Sequence, residues 1–176
     1  MMESLSRLYG KMLAVLAGFG CLLLFLMMLI IVADIFLRNI VIPGLPIGLG
    51  WSNEVSEFFL YVLTLSIAPW LLRNGQHIRV DIFLKVIPPK TAWLLEWVGD
   101  LIGLACCLVF AGYGTYATVQ SFQSGSVNFK TLVTPEWWSL APIPIVFILL
   151  SIEMVFRIWR LNHSEIGPRN DAVSSA

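Results

Sequence analysis

Residues 12–37 read MLAVLAGFGCLLLFLMMLIIVADIFL, and from Met12 to Ala33 the run holds no charged residue. A hydrocarbon core of about 30 Å is crossed by roughly 20 helical residues rising about 1.5 Å each, so this run is long enough to span a bilayer. It is apolar on every face, which leaves no side for water. Three further runs, at about 55–72, 92–116 and 138–159, pass the same test. The expected fold is all-α and integral to the membrane: one four-helix domain over residues 1–161, then a polar tail from 162 to 176. Composition points the same way, with 58% hydrophobic and 12% charged residues, where a soluble domain carries about 25% charged. The first run exceeds the roughly 7–15 apolar residues of a signal peptide and meets no small-residue cleavage site before Asp34. It is therefore read as a retained helix.

The formal net charge of zero gives no electrostatic case for a nucleic-acid partner. The distribution of charge says more than its sum. Arg7, Lys11, Arg73, Arg79, Lys85, Lys90, Arg157, Arg160 and Arg169 fall on one side of the four spans, and only Arg38 and Lys130 on the other. By the positive-inside rule both termini are expected in the cytoplasm.

Catalytic signatures are missing. No glycine-rich phosphate loop followed by Lys and Ser/Thr occurs, and the two histidines, His77 and His163, lie outside the spans, where they cannot ligate a haem. Cys21, Cys106 and Cys107 sit in apolar runs without zinc-type spacing and read as packing residues. Ser56, Thr64, Ser66 and Ser151 have no nearby base, so their hydroxyls are expected on backbone carbonyls or neighbouring helices. The expectation is a non-enzyme with no cofactor or metal of its own.

The remaining charges sit near the span ends. Asp34 and Arg38, one turn apart, are expected to pair at the outer interface. Pro43, Gly44, Pro46, Gly48 and Gly50 mark a connector. Trp51 then anchors the second helix, Ser52 or Asn53 is placed to cap it, and Glu54 and Glu57 suit its positive end, with Arg38 or a neighbouring subunit as a further contact. Pro69 should kink or end that helix. The loop carrying His77, Arg79 and Asp81 mixes apolar and charged residues, which fits a short interfacial helix between helices 2 and 3. Glu96 and Asp100 need a cation from among Arg73, Arg79, Lys90 and Arg157, and Gly99 and Gly103 form a Gly-x-x-x-Gly pair. Gln120 to Glu136 reads as a polar outer loop before the anchoring Trp137 and Trp138. Pro142 and Pro144 fall in the first turns of the last helix, and Glu153 is expected to pair with Arg157.

Three elements then stand together: Trp51-Ser52-Asn53-Glu54 at the start of the second helix, Arg73-Asn74-Gly75-Gln76-His77-Ile78-Arg79-Val80-Asp81 after it, and Pro88-Pro89 before the third. From Leu8 to Leu161 the chain resembles the small (Q-type) membrane subunit of tripartite ATP-independent periplasmic (TRAP) transporters. The resemblance implies a bacterial inner-membrane complex in which a large M-type subunit carries the substrate and sodium sites and moves like an elevator. It also implies a periplasmic solute-binding protein that transiently delivers a carboxylate-bearing solute. This chain would be a lipid-embedded scaffold, with Trp51, Asn53 and Glu54 as an outer-edge element and His77, Arg79 and Asp81 as an inner-loop element. Two rival readings are a self-contained homo-oligomeric transporter or channel using Asp34, Glu54 or Glu57 to couple an ion, and a membrane anchor of a redox complex.

Overall fold

A computed structural model of the chain describes residues 2–40, 48–75, 88–129 and 131–163. Helix α1 covers Met2–Asn39, α2 Ser52–Arg73 and α3 Pro89–Ser124. A two-stranded antiparallel hairpin follows, β1 Val127–Phe129 paired with β2 Val133–Pro135, then the short α4 Glu136–Leu140 and finally α5 Pro142–His163. Four stretches are long and apolar enough to cross a membrane, with α4 and α5 together forming the fourth. The four expected spans are all present, and each helix reaches past the apolar run that announced it. Backbone hydrogen bonding continues into the headgroup zones, where side chains no longer need to be apolar.

Prolines set the boundaries they can tolerate. Pro88 precedes α3 and Pro89 opens it; Pro142 opens α5, where a missing N–H costs nothing. Pro69 lies inside α2, but the helix runs through it and stops one turn later at Arg73. Ala141 makes the break between α4 and α5, its amide still bonded to the Trp137 carbonyl at 2.9 Å. The third helix ends on Gly125, whose φ of 65° is the left-handed conformation that a side chain would disfavour.

The principal packing runs in the series α1, α2, α5, α3, with no substantial contact between α1 and α3 to close a ring. The seam between α3 and α5 has a heptad-like spacing: Asp100, Leu104, Cys107, Ala111, Gly114, Thr118 and Ser121 all turn inward. These residues are mostly small, and the large apolar side chains Ile102, Leu108, Val109 and Tyr113 point outward instead. In lipid, burial of apolar surface no longer sorts inside from outside, and small residues that let backbones approach take the seam. A Cβ added at Gly114 would come within 3.0 Å of Ile143, and one at Gly103 within 2.8 Å of Met154. Gly99 has open space around it, so only the second member of the Gly-x-x-x-Gly pair packs against another helix of this chain. Leu72, Cys107, Val146 and Leu150 form the apolar centre, joined by the Phe110–Phe147 ring stack at 5.0 Å. Of the span hydroxyls expected on backbone carbonyls, Thr64 bonds back to the Leu60 carbonyl at 2.7 Å and Ser151 to that of Phe147 at 2.8 Å, whereas the Ser56 hydroxyl has no hydrogen-bond partner among the described residues.

Two expectations change here. The Gln120 to Glu136 segment is not wholly loop: α3 continues to Ser124 and the hairpin follows. The helix α2 begins on Trp51 as its N-cap, without the side-chain cap expected from Ser52 or Asn53. The expected interfacial helix, with His77, Arg79 and Asp81, and the tail beyond His163 lie outside the described residues.

Candidate site at the two polar ends of the helices

One end of the structure gathers the start of α1, the end of α2, the start of α3 and the end of α5; it is called the terminal end here. The other, the loop end, gathers the end of α1, the start of α2, the hairpin and α4. Buried polar groups concentrate at both.

At the terminal end, Glu153 of α5 has no solvent exposure at all. Its Oε2 accepts from Arg73 Nη1 at 3.0 Å and its Oε1 from Arg160 Nη2 at 2.6 Å. The expected Glu153–Arg157 pair is not formed. Arg157 instead meets Asp100 of α3 at 2.9 Å, so the two acids divide the basic residues between them. Position explains the difference: Asp100 lies in the α3–α5 seam, and a carboxylate buried there must find its cation across that seam. Of the salt-bridge cluster expected around Glu96 and Asp100, the Asp100–Arg157 pair is present. Glu96 is buried in the same stretch of α3.

Arg73 also extends to α1. Its Nη2 donates to the Ser6 carbonyl at 2.8 Å and to Ser6 Oγ at 3.1 Å. Gly10 leaves the room, since a Cβ there would lie 2.8 Å from Arg73 Nε. Tyr9 completes the tie, donating its hydroxyl to the Leu149 carbonyl at 2.6 Å and packing its ring on Phe156 at 5.6 Å. One guanidinium thus joins α1, α2 and α5. Ser6, Tyr9 and Gly10 were not singled out from the sequence, where they look like an ordinary polar lead-in; a serine, tyrosine and glycine on adjoining turns before an apolar run was the available signal.

At the loop end, carboxylates hold backbone. Asp34 pairs with Arg38 at 2.9 Å, as its spacing predicted, but it also accepts from the Leu49 amide at 2.6 Å. Gly48 shapes that approach, with φ of 83° and Arg38 Cγ 2.8 Å from where a Cβ would stand. Glu54 receives the amides of Thr131 at 2.6 Å and Leu132 at 2.8 Å, clamping the hairpin connection to α2. A carboxylate with two lone-pair-bearing oxygens suits two successive N–H groups. Ser121 donates to Glu136 at 3.2 Å, and Tyr61 to the Ser139 carbonyl at 2.8 Å. Trp51 and Asn53 are exposed beside this clamp. Glu57, also exposed, lines a half-open cavity of about 510 Å³ with Phe58, Tyr61, Leu132 and Trp138. Among the described residues no cluster of His, Cys, Asp and Glu has the makings of a metal site.

The arrangement ties helices and loops together. Comparison with known proteins gives it a family. A sequence profile described as "Tripartite ATP-independent periplasmic transporters, DctQ component" matches residues 27–163. A Haemophilus influenzae protein named as a TRAP transporter small permease protein is 25% identical over 166 residues, covering 89% of this chain and 98% of that one. The matched region holds all of α2, α3 and α5 with both sets of buried charges, and so the chain belongs to the DctQ component family, the small permease subunits of TRAP transporters.

Proposed function

We propose that this small permease subunit is a static scaffold, held in the bacterial inner membrane with both termini in the cytoplasm. Against it a large M-type subunit carries out sodium-coupled import of a carboxylate-bearing solute, delivered by a periplasmic binding protein. The observation that carries this reading is how the buried carboxylates are used. Of the four buried acids among the described residues, Asp34, Asp100 and Glu153 each sit on a cation or backbone amide of this same chain, so none of these three is poised to coordinate a travelling ion. A domain that shifts through lipid needs a fixed reference, and a series of helices locked at both ends provides one. The broad apolar faces of α1 and α3, which close no ring with each other, are available for lipid and for the large subunit.

Purification of the tagged chain from native membranes in mild detergent, with mass spectrometry of what accompanies it, tests the reading. Near-equal recovery of a much larger polytopic protein is the expected result. Recovery of this chain alone as a homo-oligomer, with solute uptake by vesicles containing nothing else, would overturn it. Within the complex, Glu54→Gln and Asp81→Asn are expected to weaken assembly or uptake while the binding protein still captures solute. Unchanged assembly and uptake in both variants would remove these residues from the proposed contacts.

A further inference from the structure

The hairpin between α3 and α4 is built inside out. Its register pairs Val127 with Pro135, Asn128 with Thr134 and Phe129 with Val133. Alternate residues face opposite sides of a strand, so Val127, Phe129, Val133 and Pro135 share one face and Asn128 and Thr134 the other. The polar pair lines the cavity beside Glu54 and Glu57. The apolar face looks away from the protein, with Phe129 83% exposed and Val133 63% exposed.

The height of this face can be fixed from α2. Its 22 residues measure about 33 Å at about 1.5 Å each, close to the roughly 30 Å of a hydrocarbon core. The first turn of α2 therefore marks the membrane boundary at the loop end. Glu54, in that turn, binds the amides of Thr131 and Leu132 directly, which sets the hairpin connection at the same level. Aromatic residues gather there: Phe122 meets Trp137 edge-on at 5.7 Å, and Trp137 meets Trp138 at 6.0 Å. Such rings favour the headgroup and glycerol zone.

We propose that the Val127–Phe129–Val133 face is a lipid-contacting foot, seated in the headgroup and upper acyl region of the leaflet at the loop end. Charge fits this occupant. From Gln120 to Pro135 the sequence contains no acidic residue, and its one charge, Lys130, is complementary to lipid phosphates. Seating the foot fixes the end of α3 relative to the membrane surface, and through the Glu54 clamp it fixes the start of α2 as well. The proposal depends on the four spans and not on the role of any partner subunit.

Photocrosslinking in native membranes, with the chain in its assembled complex, tests it. A benzophenone amino acid in place of Phe129, an exposed position that tolerates the larger ring, is expected to yield the hairpin peptide carrying a lipid mass. The same probe in place of Thr134, on the opposite face, is expected to lose that adduct. A crosslink from position 129 to another polypeptide would overturn the proposal in favour of a protein-docking face. Absence of any adduct at 129, or equal lipid labelling at 129 and 134, would overturn it too.

Discussion

The two ends of this molecule solve one problem with different partners. At the terminal end, charged side chains meet charged side chains: Arg73 of α2 and Arg160 of α5 on Glu153 of α5, and Arg157 of α5 on Asp100 of α3. At the loop end, Asp34 and Glu54 reach backbone amides of connecting segments. The difference follows from what each end must fasten. Near the terminal end the helices α1, α2, α3 and α5 converge with most of their amides bonded within the helices, so side chains make the ties, the ion pairs together with the Arg73 and Tyr9 donations to the Ser6 and Leu149 carbonyls. At the loop end the chain leaves helix for turns and hairpin, and amides without helical partners become the natural donors for a carboxylate. One end should therefore govern global stability, and the other the order of local segments.

The hardest test of that division is Glu153→Gln. It strips the charge from a buried side chain shared by Arg73, 18% exposed, and Arg160, 35% exposed; breaking a fully buried pair costs about 3–5 kcal/mol, and solvent reaching the two guanidiniums lowers that figure. Unfolding in mixed micelles should register this as a global loss. A change under about 1 kcal/mol, the range of an exposed pair, would mean that the terminal end does not hold the helices together.

Glu54→Ala should act locally. Losing a charged acceptor for two amides is worth about 1.5–3 kcal/mol per bond at most, and hydrogen exchange should quicken at Thr131 and Leu132 while α3 and α5 remain protected. Exchange that quickens throughout the spans would erase the contrast between the ends. A smaller effect is expected from Gly48→Ala. Holding alanine in a left-handed conformation costs about 1–2 kcal/mol, and the added methyl presses on Arg38; the Leu49 amide should exchange faster, with the unfolding midpoint little changed. The smallest effect belongs to Arg38→Ala. Its side chain is 54% exposed, and the Leu49 amide still holds Asp34, so unfolding should match the parent within error. A clear loss would show that the loop end also depends on side-chain ion pairing.

How much of this was legible in the sequence varied with the kind of feature. The Asp34–Arg38 pair was legible because both partners lie one turn apart on a single helix. Glu153 and Arg157 offered the same spacing and did not pair, because Arg73 from α2 and Arg160 from its own helix reach the carboxylate while Asp100 takes Arg157. The hairpin was hidden because two three-residue strands in a Ser-, Gly- and Asn-containing segment carry too short an alternation to stand out. Glu54 was recognised as a helix-start residue, but nothing in its neighbourhood indicates that its acceptors' donors lie at Thr131 and Leu132.

The sequence by itself determined four spans and their order, because bilayer thickness converts apolar length directly into a membrane-crossing helix. Its Trp51, His77 and Asp81 elements also resembled the family to which the chain belongs. Only the tertiary structure decided which face of each helix is buried and which charges meet. In lipid, large apolar side chains are as stable outside as in, so hydrophobicity cannot mark the seam. The choice falls instead to small residues such as Gly103 and Gly114, and to buried acids whose partners come from helices far away in the chain.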